Sequence, residues 1–545
     1  MPTAARAIVD TLLAQGITHA FGVPGESYLG LIDALHDVQE RLTLITCRHE
    51  ATAAHMAEAY GKLTGQPGVC LVTRGPGATH ASIGVHTAMH DSTPMLLLVG
   101  HVERAMIGRG AFQEVDYEAM FAPLAKAVFV LRDAARAPEL AAAAVAVAMS
   151  GRPGPVVLVL PEDVLDEESG PAVASAFIAP EPALSPHDIA RLHELLREAR
   201  RPMLWVGGSR WSQTACDQVA EAARRLNIPV VTAWRRKDLV DNAHPNFAGE
   251  MGLGANPKLV ARVREADLLI TIGTRLSEVT TTAYTLPEPP APHQRLVMIH
   301  PDAAVLAQPY RPTLALQSTV AHAAQALLEV AHIFSGEADR DEPIAARAEY
   351  EAWSRPTQVE AGVNMADVIA HVTASLPKDA IVTNGAGNFG AWVHRFHQHR
   401  EYGTQLAPTS GAMGYGVPAA VAASILHPGR AVLCVAGDGD FLMSSHELAT
   451  ATRYGATPII LVVDNGQYGT IAMHQARDYP GRAYGTAITN PDFAALAAAY
   501  GWWSVNVTET GAFAAAFEAA RASGRAALIA LKTDPREITP GRCLP

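Results

Sequence analysis

Short unbroken apolar runs recur along the whole chain. Segments 20–23, 42–46, 69–73, 95–99 and 156–160 are rich in Val, Leu and Ile and too short for helices. Their apolar character is continuous and does not alternate, the pattern of strands buried on both faces of a parallel sheet. Helical stretches separate them. Ile8, Leu12 and Leu13 mark a helix that ends near Gly16, Leu31 and Leu35 mark a second, and 51–63 forms a third closed by Gly65. Similar runs return at 203–206, 230–232, 268–272 and 296–299, and again at 432–436, 459–463 and 526–531. Strand and helix in alternation predict an α/β fold with doubly wound parallel sheets.

Two breaks divide the pattern. Pro180-Glu181-Pro182-Ala183-Leu184-Ser185-Pro186 reads as a linker, and the charged stretch 335–343 as another. The expected domains are therefore 1–165, 187–333 and 360–537, in keeping with the about three that 545 residues suggest.

The densest chemistry lies at 432–468. The apolar run 432–436 opens onto Gly437-Asp438-Gly439, Ser444 and Glu447 have capping-box spacing for a helix running to Gly455, and 459–463 is a second apolar strand. A right-handed crossover would set these strands parallel and adjacent, with Asp438 and Asn465 side by side at their carboxyl ends. One carboxylate, one amide oxygen and a nearby backbone carbonyl are hard donors. They are too few for a calcium cage but suit Mg²⁺, which keeps water and takes further ligands from phosphates. The glycines would let the backbone approach a diphosphate. Two ordinary strand-to-helix turns are the plainer alternative for Gly-Asp-Gly alone.

Composition narrows the function. The chain is 49% apolar and 18% charged, with net charge −12 and no long basic run, which argues against nucleic acid or an anionic membrane as partner. Five scattered cysteines without a Cys-x-x-Cys point to a reducing, cytoplasmic setting. The amphipathic N-terminus carries Asp10, unlike a signal peptide, and no apolar run nears the roughly 20 residues of a membrane span.

Gly437-Asp438-Gly439 followed by Asp464-Asn465 resembles the thiamine diphosphate signature, with Asp464 standing at the first of two asparagines. Arg48-His49-Glu50, Gly75-Pro76-Gly77-Ala78-Thr79, Ala111-Phe112-Gln113-Glu114, Gly151-Arg152-Pro153-Gly154-Pro155-Val156 and Gly411-Ala412-Met413-Gly414-Tyr415-Gly416 also match, in order. The chain thus resembles the thiamine diphosphate decarboxylase and carboligase superfamily, nearest to acetolactate synthase, with pyrimidine-binding, central and diphosphate-binding domains. The resemblance implies Mg²⁺ held by Asp438, Asn465 and the Gln467 carbonyl, with Gly437 and Gly439 framing the diphosphate. It implies that Glu50 meets the aminopyrimidine ring with a carboxyl of raised pKa, that the Gly411 carbonyl accepts its 4′-amino group, and that Met413 bends the cofactor. Phe112 and Gln113 match a pair beside the reacting carbon, and Lys126 a lysine downstream. In this family Glu50 and Asp438 come from different subunits, so a homodimer or homotetramer with sites at the subunit interface is expected. The implied activity is decarboxylation of a small 2-keto acid, pyruvate first, and ligation of its acyl unit to a second carbonyl. The alternatives are a 2-keto acid decarboxylase or 2-hydroxyacyl-CoA lyase without ligation, or a member without turnover.

Departures bear on the substrate. His474 stands where 2-ketobutyrate-preferring acetolactate synthases carry Trp, and Glu26 where pyruvate decarboxylases carry an acid. Ala111-Phe112 replaces the paired histidines of pyruvate decarboxylase, and Arg74 replaces a small residue. His80, His86 and His90 are read as local hydrogen-bonders. In the central domain Gly207-Gly208-Ser209, 249–254 and Gly273-Thr274-Arg275 resemble flavin-contacting turns, yet Leu140 takes the place of a flavin-contacting Arg. FAD, ADP, coenzyme A or nothing could sit there. Arg235-Arg236-Lys237 could meet a nucleotide phosphate but is expected as a solvated loop.

Overall fold

In the computed structural model, which describes residues 1–334 and 341–544, the chain forms three six-stranded parallel sheets flanked by helices, as the apolar pattern requires. The first holds β1 (His19–Gly22), β2 (Thr43–Thr46), β3 (Gly68–Val72), β4 (Met95–His101), β5 (Ala127–Val130) and β6 (Pro155–Pro161), in the order β2-β1-β3-β4-β6-β5. The central sheet holds β7 (Pro202–Val206), β8 (Val230–Thr232), β9 (Phe247–Glu250), β10 (Leu268–Ile272), β11 (Arg295–His300) and β12 (Leu314–Gln317), in the order β12-β11-β10-β7-β8-β9. The third holds β13 (Ile381–Asn384), β14 (Gln405–Leu406), β15 (Val432–Gly437), β16 (Ile459–Asp464), β17 (Trp503–Val507) and β18 (Ala527–Lys532), in the order β14-β13-β15-β16-β18-β17.

The first and third sheets share one strand order, whereas the central sheet has the dinucleotide-fold order with its switch point between β7 and β10. The strands absent from the apolar pattern are β5, β9, β12, β13, β14 and β17. Among them β5, β12 and β17 are half-exposed edge strands, and β14 is only a two-residue pairing.

The two outer domains share one apolar core. The helix Glu50–Thr64 buries Ala53, Ala54 and Ala57, the helix Gly416–Leu426 buries Ala419, Ala420 and Ala423, and these small side chains belong to one continuous cluster. A short hairpin of β19 (Glu537–Thr539) and β20 (Arg542–Cys543) follows the last sheet.

Several expectations change. Ser185 and Pro186 are not linker but the start of the helix Pro186–Glu198, where Ser185 and Asp188 form a true capping box. Of the second expected linker, 335–340 lies outside the described residues, and Glu342 and Pro343 open the helix Glu342–Trp353. That helix packs Tyr350 against Phe247 of β9. The proposed capping box at Ser444 does not form, because Ser444 makes no side-chain cap bond. Glu447 instead accepts from Arg48 N at 2.9 Å and Thr52 Oγ1 at 2.5 Å, so it serves the helix that begins at Glu50. Arg235-Arg236-Lys237 is not a solvated loop. Arg235 is buried and donates to the Gly385 and Pro408 carbonyls, Lys237 donates to His394 and His397 carbonyls, and Arg236 faces Asp238. Arg235 and Lys237 thus tie the central domain to the third.

Among the described residues no helix is long and apolar enough to cross a membrane. All five cysteines are free thiols, and four of them are buried.

Candidate active site

Strand β15 runs directly into the short helix Asp438–Leu442, with Gly437 as its N-cap, and β16 pairs alongside so that Gly437 faces Val463. Asp438 and Asn465 therefore emerge together at the carboxyl edge of the sheet. Asp438 is buried and accepts three bonds of 2.8 Å, from Gly439 N, Gly466 N and the Asn490 amide. Burial pushes its carboxyl above the ordinary value, the three donors pull it down, and nearby Asp464 adds to the rise. Asp464 is itself held by Asn490 at 2.8 Å and Lys532 at 3.1 Å, which explains how an acid is accommodated at that position. Asn465 Oδ1 accepts from Gln467 N at 3.1 Å.

Asp438, Asn465 and Gln467 line a cavity of about 260 Å³ together with Gly387, Asn388, Met413 and Thr470. The glycines of the turn act through packing. A Cβ on Gly437 would lie 2.7 Å from the Phe389 ring, and one on Gly439 would lie 2.6 Å from Tyr468. Gly411 has φ +71° with open space where a side chain would stand, and it lines the same cavity as Met413. Its loop is anchored by Asp440, whose Oδ1 accepts from Gly414 N at 2.9 Å and Ala386 N at 3.1 Å. Asp440 and Asn490 escaped sequence reasoning. The acid two residues beyond Asp438 was the only signal for the first, and nothing local marked the second.

The donor set fits a hard divalent cation: the Asp438 carboxylate, the Asn465 amide oxygen and the Gln467 carbonyl. The adjoining cleft, at the carboxyl ends of parallel strands and beside the first turn of the helix Gly469–Asp478, fits a diphosphate.

Glu50 lies elsewhere. It is the first residue of the helix Glu50–Thr64, and its Oε2 is 2.9 Å from His80 Nδ1. Its Oε1 has no hydrogen-bond partner among the described residues and lies 3.6 Å from the place a Cβ would take on Gly77. His49, Glu50 and His80 are close enough to share a metal ion. However, His49 Nδ1 accepts from Ala51 N at 3.1 Å, so its Nε2 carries the proton and offers no lone pair.

Gln113, at φ +62°, packs over Gly75 with its Oε1 buried and unpaired, and neighbouring Phe112 is 75% exposed. Glu26 is exposed and stands 3.5 Å from Arg74, which also holds Glu162 at 3.0 Å. Lys126 does not face the site. It donates to the Val147 and Ser150 carbonyls at 2.6 and 2.8 Å, and burial lowers its ammonium to about 8.

Gly411, Met413, Gly437, Asp438, Gly439, Asn465 and Gln467 thus share one cleft, which none of Glu50, Phe112, Gln113 or Glu26 lines. His474 lines a larger adjoining cavity of about 690 Å³ that also carries Trp234, Glu250, Trp353 and His394.

At the central switch point the turns after β7 and β10 pack on each other, since a Cβ on Gly208 would sit 2.0 Å from the Gly273 carbonyl. The crevice there holds about 50 Å³ and Leu140 is packed in the first domain, whereas Gly249, Gly252 and Gly254 of the other glycine-rich turn line the larger cavity that reaches His474.

Three family models match the chain: the thiamine pyrophosphate enzyme N-terminal TPP binding domain at residues 2–120, the central domain at 189–327, and the C-terminal TPP binding domain at 385–531. The chain is 33% identical over 523 residues to the acetolactate synthase large subunit of Parasynechococcus marenigrum (strain WH8102), covering 93% of this chain and 83% of that protein. It is 31% identical over 527 residues to the acetolactate synthase of Arthrospira platensis, covering 93% and 90%. It is 30% identical over 505 residues to the acetolactate synthase isozyme 2 large subunit of Escherichia coli (strain K12), covering 92% and 90%.

Proposed function

The chain belongs to the thiamine pyrophosphate enzyme family, among acetolactate synthase-like enzymes that form carbon–carbon bonds, and we propose that it decarboxylates a 2-keto acid, pyruvate first, and joins the acyl unit to a second carbonyl. The observation that carries this reading is the set Asp438, Asn465 and Gln467 at the edge of β15 and β16, beside a cleft lined by Gly411 and Met413.

Thiamine diphosphate, when bound, supplies the electron sink for loss of CO₂. The protein's part is positioning and proton traffic. Asp438, Asn465 and the Gln467 carbonyl would hold Mg²⁺ against the diphosphate. The Gly411 carbonyl would accept from the 4′-amino group, and Met413 would press between the two rings. Glu50, with Oε1 unengaged, would exchange a proton with ring nitrogen N1′.

Glu50 and Asp438 do not share a cleft within one chain, which supports a site completed by a second copy, in a homodimer or homotetramer. Phe112, largely exposed here, would then be covered and would keep water from the reacting carbon. Glu26, paired with Arg74, would act as a fixed charge at the mouth. Decarboxylation and ligation involve no net redox change, so a flavin bound in the central domain would have no electron-transfer role.

The cavity of about 690 Å³ that reaches His474 favours a second reading, in which acyl groups larger than that of pyruvate are accepted. One experiment tests both. The protein is incubated with thiamine diphosphate, Mg²⁺ and a panel of 2-keto acids, and products are identified by mass. Acetolactate from pyruvate supports the first reading, and a preference for a longer acid with a ligated product supports the second. Aldehyde alone would mark a decarboxylase without ligation, and no product from any acid would overturn the proposal.

A further inference from the structure

We propose that His80 is a positioning residue for Glu50, dividing the work of its two carboxylate oxygens. His80 Nδ1 donates to Oε2 at 2.9 Å, while Oε1, turned toward Gly77, has no hydrogen-bond partner among the described residues. The imidazole is held in turn. Its ring stacks on His49 at 4.5 Å between centroids, tilted by 30°, and His49 is pinned by the Ala51 N–H and faces His446 at 5.6 Å. A carboxylate at the end of three rotatable bonds would otherwise sample several rotamers, and proton exchange requires reacting atoms within about 3 Å. Fixing one oxygen presets the other.

The inference rests on Glu50 being the acid that meets the aminopyrimidine, so the test includes that residue. Deuterium exchange at C2 of bound thiamine diphosphate and cofactor Kd by tryptophan quenching are measured for wild type, Glu50→Gln, His80→Ala and His80→Asn. An Asn amide nitrogen can take the place of Nδ1. Expected are Glu50→Gln slowed at least a hundredfold, His80→Ala slowed about tenfold or more with Kd within about threefold, and His80→Asn restored to within threefold of wild type. Wild-type exchange in His80→Ala, beside slow exchange in Glu50→Gln, would overturn the His80 role alone. Failure of His80→Asn to restore a slowed His80→Ala would also overturn it. Wild-type exchange in Glu50→Gln would instead overturn the assignment of Glu50.

Discussion

The Tyr415 hydroxyl donates to Glu58 Oε2 at 2.6 Å, joining the loop that carries Gly411 and Met413 to the first domain. The bond belongs to a buried cluster. Lys62 reaches Glu58 at 3.1 Å, Asp91 at 2.5 Å and the Ala407 carbonyl at 3.1 Å, and Asp91 Oδ1 accepts from Thr409 N at 2.7 Å. Burial raises the Glu58 carboxyl, and it is also the largest influence on Asp91, but the Lys62 ammonium and the bonds from Thr409 together hold Asp91 below its usual value. Removing the one cation leaves two buried acids uncompensated. Lys62→Met should therefore lower unfolding free energy by about 3–5 kcal/mol, read by urea denaturation. A loss under about 1 kcal/mol would show that the cluster is not structural.

Glu447 holds the start of the helix that presents Glu50. It is fully buried, and its oxygens accept from Arg48 N, Thr52 Oγ1 and Thr450 Oγ1. Glu447→Ala would strand the Arg48 N–H and the Thr450 hydroxyl, while Thr52 Oγ1 keeps the His49 carbonyl as acceptor, at a cost of about 3 kcal/mol. Turnover should fall while Mg²⁺-dependent cofactor binding stays within about threefold. Unchanged stability would contradict this account of the contact between the domains.

His55 makes folding sensitive to acid. Its ring is buried against Tyr415 with both nitrogens unpaired, and burial lowers its pKa to about 4 from the usual 6.5. Lys62 lowers it further, whereas Asp91 raises it. The unfolded chain therefore binds the proton first. Stability is intact above 6.5 and is lost as pH falls toward 4, by on the order of 3 kcal/mol from this residue. His300, also about 4, and His397, about 3, add in the same sense. His55→Phe should flatten the fall in melting temperature between pH 6.5 and 4. An unchanged slope would mean that His55 is not buried as a neutral ring.

The chain was most legible where function and burial coincide. The continuous apolar runs around Val435 and Leu461 gave β15 and β16, their adjacency, and the meeting of Asp438 with Asn465. Edge strands such as β5, with half-exposed Val128 and Phe129, carry a weak signal because only one neighbour pairs with them. Glu447 matched a capping pattern, but a tertiary contact won: the open end of another helix lay within reach. Arg235 and Lys237 looked solvated because their partners are backbone carbonyls of the third domain, which no local pattern reveals.

Asp438 should be indispensable for the metal. Asp438→Ala removes the only charged donor of the set, and Mg²⁺-dependent thiamine diphosphate affinity should fall more than about a hundredfold. Asn490→Ala removes a bond to both Asp438 and Asp464, and a loss of about ten- to a hundredfold is expected. Chelation by EDTA should abolish cofactor binding in wild type while leaving the apo melting temperature unchanged. Wild-type affinity in Asp438→Ala would place the metal elsewhere.

The central claim is that Glu50 of one subunit completes the Asp438 cleft of another. Glu50→Gln and Asp438→Ala chains, each inactive alone, are co-expressed with different tags, and the mixed dimer is purified and assayed for CO₂ release from its preferred 2-keto acid. If sites form across the interface, one of the two sites in the mixed dimer is wild type, and activity should return to about half that of the wild-type dimer. If each chain builds its own site, every site carries one lesion. A mixed dimer as inactive as its parents would contradict the account.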